Sequence, residues 1–206
     1  MNSRTALISS LVMLAGIALV ILGNEYRNRN YEFRGNTFEP FPEAFRFKLE
    51  NYDGQTFRIE DQKGNVVLLF FGYTNCPDVC PATLSDFKKI HTALGDQASQ
   101  VRFVLISVDP ERDSPRSVQE YVSAFHPDFI GLTGSRPALE LIWDGYFHAP
   151  ENESIEAHED GDEDGYLVAH TGRIYVIDSL GKLRLTFLFG TAVSDMIADV
   201  NYLLNE

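Results

Sequence analysis

Residues 66–81 read Val66-Val67-Leu68-Leu69-Phe70-Phe71-Gly72-Tyr73-Thr74-Asn75-Cys76-Pro77-Asp78-Val79-Cys80-Pro81. An unbroken apolar run followed by a glycine and polar turn residues is the pattern of a strand buried on both faces that ends in a loop. Residues 82–94 then carry Leu84, Phe87, Ile90 and Leu94 at helical spacing and stop at Gly95, which predicts an amphipathic helix. Cys76 and Cys80 are the chain's two cysteines, so a dithiol falls between a buried strand and a helix. In open α/β sheets ligands and chemistry collect at the carboxyl edge of the strands. The positive end of a helix also favours a thiolate over a thiol. The pair is therefore a candidate for metal binding, redox chemistry or both.

Outward from this junction, residues 45–60 alternate apolar and polar around Asp53-Gly54, a hairpin signal. A second turn at Lys63-Gly64-Asn65 leads into the strand at Val66. Val101–Val108 reads as a second buried strand. Ser114-Pro115 starts a helix running to about Phe125, with a capping serine and proline in its first position. Phe129–Leu132 reads as a short strand and 136–147 as a helix. Segments 173–177 and 183–189 flank a turn at Leu180-Gly181 as an antiparallel pair, and 192–204 closes the chain as an amphipathic helix. This order, with a dithiol at its first long strand–helix junction, predicts an α/β thioredoxin-like fold with an added N-terminal β-hairpin. In that fold the segment entering the later hairpin packs against the dithiol. Here that segment is Val168-Ala169-His170-Thr171-Gly172, which brings His170 to the cysteines across a wide gap in sequence.

Two thiolates and an imidazole make a soft ligand set suited to Cu(I), and mixed thiolate–imidazole sites also take Cu(II). A structural zinc site normally has four protein ligands, and a fourth is not evident. A structural disulfide closing so short a loop would contribute only about 2 kcal/mol, which a domain of this size does not need. The spacing also exceeds the two intervening residues usual in thioredoxin-like redox motifs. Asp78, between the cysteines, and Asp109, at the end of the second strand, are expected to border the site or to serve turns and caps. His91 and His126 are read as structural, and His148 and His158 as auxiliary metal candidates.

The 206-residue chain is long enough for one good-sized core. Residues 1–5 are a short lead with Arg4. Residues 6–23 form an uncharged apolar run of about eighteen residues, near the minimum for a membrane span. A cleaved signal peptide needs an apolar core of only about 7–15 residues and small residues at the cut, which this run lacks. It is read as a single uncleaved transmembrane anchor, residues 24–42 as a polar tether, and 43–206 as the folded domain. Arg27, Arg29 and Arg34 outnumber Arg4 across the span, which weakly favours a cytoplasmic domain, but long domains translocate largely regardless of charge. The net charge of −13 is mostly local: eight acids lie between Ala149 and Asp164. That acidic segment reads as a solvated loop, or as a surface for a basic partner or weak cation capture. No basic cluster is present, which argues against nucleic acid as a partner.

Three segments carry a resemblance: Phe70-Phe71-Gly72-Tyr73-Thr74-Asn75-Cys76-Pro77-Asp78-Val79-Cys80-Pro81, Ser107-Val108-Asp109-Pro110-Glu111-Arg112-Asp113-Ser114-Pro115, and Tyr166-Leu167-Val168-Ala169-His170-Thr171. With them the chain resembles the Sco/SenC family of membrane-anchored copper chaperones for cytochrome c oxidase assembly, from about Phe45 to the C-terminus. The resemblance implies that Cys76, Cys80 and His170 bind one copper ion, as Cu(I) or Cu(II). It implies delivery to the copper-bearing subunit of the oxidase, with a copper donor and a thiol reductant as further partners. It also implies a domain outside the cytoplasm. With no transit-peptide composition before the anchor, the expected setting is a bacterial inner membrane with the domain in the periplasm. Many relatives carry Asp where Ala169 stands, and the long acidic segment is not a feature of the family core. Two other uses of the same cysteines stay open. One is a thiol-disulfide oxidoreductase acting on the partner's cysteines, and the other is a thiol peroxidase.

Overall fold

The computed structural model describes residues 11–19, 31–146, 151–153, 167–169 and 172–206, with the backbone alone at 151–153 and 167–169. Residues 34–205 form one compact unit and residues 1–33 belong to another. In the latter, residues 11–19 are helical, and apolar side chains such as Leu11, Met13 and Leu19 are exposed. The rest of the expected 6–23 anchor lies outside the described residues, and among those described no helix is long and apolar enough to cross a membrane.

The larger unit is built on a six-stranded mixed sheet. Its strands are β1 (Asn36–Thr37), β4 (Val66–Gly72), β5 (Val101–Ser107), β6 (Ile130–Leu132), β9 (Ile174–Ile177) and β10 (Leu183–Phe187), in the order β1-β10-β9-β4-β5-β6. The β4, β5 and β6 strands run parallel, while β9, β10 and β1 join antiparallel. Every residue of β4 is buried, as a strand covered on both faces requires. A separate hairpin pairs β2 (Lys48–Glu50) with β3 (Thr56–Arg58), its turn carried by Gly54 at φ 81°. The predicted turn at Gly64 also appears, at φ 92°.

Four helices surround the sheet: α1 (Val79–Leu94), α2 (Pro115–Ser123), α3 (Arg136–Gly145) and α4 (Val193–Leu204). The Leu84, Phe87, Ile90 and Leu94 stripe of α1 is buried, and Phe87 packs on Phe103 of β5 with ring centroids 5.3 Å apart. Ser114 caps α2 in a reciprocal pair with Ser117, and Pro115 follows at the first position, as the sequence predicts.

Two elements differ from the sequence reading. The α1 helix begins at Val79 rather than at residue 82. Pro81 is tolerated there because the amide of a first-turn residue has no helical partner to lose. The segment expected as a tether to residue 42 joins the domain from Arg34 onward. The Arg34 and Gly35 main-chain N–H groups donate to the buried Asp199 carboxylate at 2.9 Å, and β1 pairs with β10. Gly35 allows this approach because a Cβ there would stand 2.6 Å from Leu185 Cδ1. The acidic segment opens with β7 (Glu151–Glu153), paired antiparallel to β8 (Leu167–Ala169). The rest of that segment, with His158, lies outside the described residues, as do His148 and His170.

Candidate metal centre

The dithiol sits where β4 gives way to α1. The Gly72 carbonyl accepts the Val108 N–H at 2.9 Å, holding the ends of β4 and β5 together, and the Cys76 N–H turns back onto the Tyr73 carbonyl at 3.3 Å. Cys80 lies in the first turn of α1, and its main-chain N–H donates to Cys76 Sγ at 3.4 Å. A helix N-terminal amide aimed at sulfur stabilises negative charge there. Both cysteines are thiols rather than a disulfide. Cys76 keeps 7% of its surface exposed and Cys80 none, so an incoming reactant meets Cys76 first.

Sequence reasoning assigned the helix terminus a thiolate-favouring effect on both sulfurs. For Cys80 burial overrides it: desolvation pushes this thiol far above its ordinary range, and the neighbouring Cys76 adds to the shift. A buried anion without a compensating cation is unfavourable. Burial thus favours the neutral thiol at Cys80.

Gly72 makes room for this sulfur, since a Cβ at that position would stand 2.7 Å from Cys80 Sγ and 2.8 Å from Phe70 Cε1. The Gly72→Ala protein is expected to lose about 1–3 kcal/mol through overpacking and to displace Cys80. Urea unfolding, together with the rate of thiol modification at each cysteine, checks both effects.

A polar network supports the loop from behind. The buried Asp113 carboxylate accepts the Thr74 hydroxyl at 2.5 Å, the Thr74 N–H at 3.3 Å and the Ser107 hydroxyl at 2.6 Å. Ser107 Oγ in turn accepts the Asp109 N–H at 3.0 Å, and Asp109 is ion-paired with Arg112. The Arg112 guanidinium lies 5.6 Å from the centre of the Tyr73 ring. Burial pushes the Asp113 carboxyl above its usual range, against the pull of its Ser107 and Thr74 hydrogen bonds. Tyr121 of α2 also faces this region. Its phenol is pushed up mainly by burial, then by the neighbouring Cys80, Cys76 and Asp113.

Of the residues the sequence singled out, Cys76 and Cys80 come together as expected. Asp109 is buried beside the loop, whereas Asp78 is exposed at the start of α1 and makes no capping bond. Asp113 and Thr74 were missed as supports. Both lie inside quoted motifs, but nothing local tells which carboxylate turns toward the loop. Tyr121 carried no sequence signal at all. His170 is outside the described residues, but Gly172 packs at the start of α1: a Cβ there would stand 2.9 Å from Val79 Cγ1 and 2.8 Å from Phe189 Cβ.

A mixed sheet with a cysteine pair at the first long strand–helix junction defines a thioredoxin-like dithiol domain. The SCO1/SenC family profile matches residues 37–205. The chain belongs to that family. A SCO2-like protein of Rickettsia conorii is 34% identical over 162 residues, covering 78% of this chain and 75% of its own. The solution structure of apo Sco1 from Thermus thermophilus superposes with TM-score 0.74 at 33% identity, covering 85% of this chain and 99% of that one. Bradyrhizobium japonicum ScoI, solved with copper bound, superposes with TM-score 0.69 at 31% identity, over 79% and 99% of the two chains.

Proposed function

We propose that this protein is a copper carrier in which Cys76, Cys80 and His170 hold one copper ion for delivery to the copper-bearing subunit of cytochrome c oxidase. The observation that carries the reading is the buried thiol pair at the β4–α1 junction, drawn together by the Cys80 N–H on Cys76 Sγ. Thiolate ligands select Cu(I), and an added imidazole suits Cu(II) as well. His170 enters because Gly172, two residues on, packs against Val79 beside Cys80, and two extended residues span at most about 7 Å. Copper-bound Bradyrhizobium ScoI, alike over most of its length, supports the choice of metal. The same reading takes residues 6–23 as an inner-membrane anchor, with the domain on the periplasmic side. A donor loads copper there and a reductant keeps the cysteines as thiols.

A second reading uses the same pair for thiol–disulfide exchange, and the unequal exposure of the two sulfurs favours it. Cys76, as thiolate, attacks a partner disulfide and expels one partner thiolate. Cys80 then displaces the second and closes a Cys76–Cys80 disulfide. The partner gains two electrons and two protons, and this chain loses them.

The deciding measurement is copper stoichiometry, with optical and EPR spectra, on the reduced protein and on His170→Ala. One copper per chain is expected, with thiolate-to-Cu(II) charge-transfer bands that change in the variant. Because the thiols must shed protons to bind, Cu(I) affinity should fall as the pH is lowered, by about tenfold per unit for each proton released. Copper lost on desalting from a fully reduced protein would overturn the carrier reading in favour of thiol exchange.

A further inference from the structure

The two histidines read from sequence as structural meet at the far end of α1 from the cysteines. Cys80 is in its first turn and His91 in its last, a separation of about 16 Å along the helix. His126 lies in the turn leading to β6, and its ring centroid is 3.8 Å from that of His91. Asp128 completes the group: its Oδ2 is 3.6 Å from His91 Nε2 and 3.9 Å from His126 Nδ1. One ligand atom from each of the three residues lies within 4.8 Å of the others. Around a tetrahedral ion with bonds near 2.1 Å, ligand atoms stand about 3.4 Å apart, so small side-chain rotations would close this set.

The surroundings hold the group in place. The Phe129 N–H donates to the His126 carbonyl at 3.1 Å, and the Asp128 N–H to His126 Nδ1 at 3.2 Å. An ion taking Nδ1 would displace the second bond and gain the carboxylate of the same residue. Phe103 and Phe129 pack against the His91 ring, and Phe129 against that of His126. The side chains are 20%, 24% and 73% exposed for His91, His126 and Asp128, so the site has an apolar floor and an open mouth. Two imidazoles this close repel when both are protonated.

We propose that His91, His126 and Asp128 form a second metal site, for a divalent transition ion of the zinc or copper(II) type, with water completing its coordination. Imidazole and carboxylate ligands suit such ions, whereas the thiol pair suits Cu(I). The protein thus separates a soft site and a borderline one at opposite ends of a single helix. The inference holds whether or not the cysteines carry copper.

The test is a Zn2+ titration of the full chain carrying Cys76→Ser and Cys80→Ser, which removes the thiol site. The ring Cε1–H NMR signals of the five histidines are followed. The His91 and His126 signals should shift together and saturate at one equivalent. Asp128→Asn, at an exposed position, and His126→Gln should each weaken that binding at least about tenfold. Circular dichroism checks that they remain folded, and Asp128→Asn alone decides if His126→Gln does not. Unmoved His91 and His126 signals, shifts confined to His148 and His158, unchanged affinity in Asp128→Asn, or saturation only above about 1 mM Zn2+ would each overturn the proposal.

Discussion

Serine at either Cys76 or Cys80 is expected to lower Cu(I) affinity by more than a factor of about 100, the upper end of what loss of a group behind the ligands costs. Serine is close in volume to cysteine, but its hydroxyl is a poor ligand for a soft ion. The two variants should differ in stability while agreeing in affinity. At the fully buried Cys80, exchanging the thiol for a more polar hydroxyl costs about 1–3 kcal/mol. At the slightly exposed Cys76 the cost is smaller, and what is lost is the sulfur that accepts the Cys80 N–H. Competition with a chromophoric Cu(I) chelator reads the affinity, and urea unfolding reads the stability. If both variants hold copper as tightly as the parent, the carrier assignment is wrong. Oxidising the parent to its disulfide should mimic the loss, because both sulfurs are then consumed.

Asp113→Ala should produce the next largest change, on both stability and binding. The carboxylate collects the Thr74 hydroxyl and N–H and the Ser107 hydroxyl, and alanine would leave these donors without their acceptor. Losing the acceptor of the buried Ser107 hydroxyl and of the part-buried Thr74 groups costs about 2–4 kcal/mol together. Thr74 lies two residues before Cys76, so the loop that presents the sulfur would loosen, with copper affinity falling about 10- to 100-fold. Asp113→Asn keeps one acceptor oxygen and should recover part of both losses. A lowered unfolding midpoint with unchanged copper affinity in Asp113→Ala would confine the residue to stability.

Much of the architecture was legible because its signals are local. The apolar runs of β4 and β5, the glycine turns at Gly54 and Gly64, and the Ser114-Pro115 start of α2 each depend on neighbours within a few residues. The early start of α1 was hidden because Pro81 reads as a helix boundary, although the first turn accepts it. The joining of residues 34–42 to the domain was hidden for another reason. The Asp199 carboxylate that receives the Arg34 and Gly35 amides lies more than 160 positions away in sequence.

The same division runs through the sites. The sequence alone determined the dithiol, its place between a buried strand and a helix, and the kinship with the SCO1/SenC family from about Phe45 onward, since residue type and short spacing carry all three. Only the tertiary structure decided that Cys80 is sealed from solvent and pushed toward the thiol form. It alone decided that Asp113, rather than Asp78, holds the cysteine loop, and that His91 meets His126 and Asp128. Burial and carboxylate direction are set by whatever the fold packs against a side chain, and those neighbours come from distant parts of the chain.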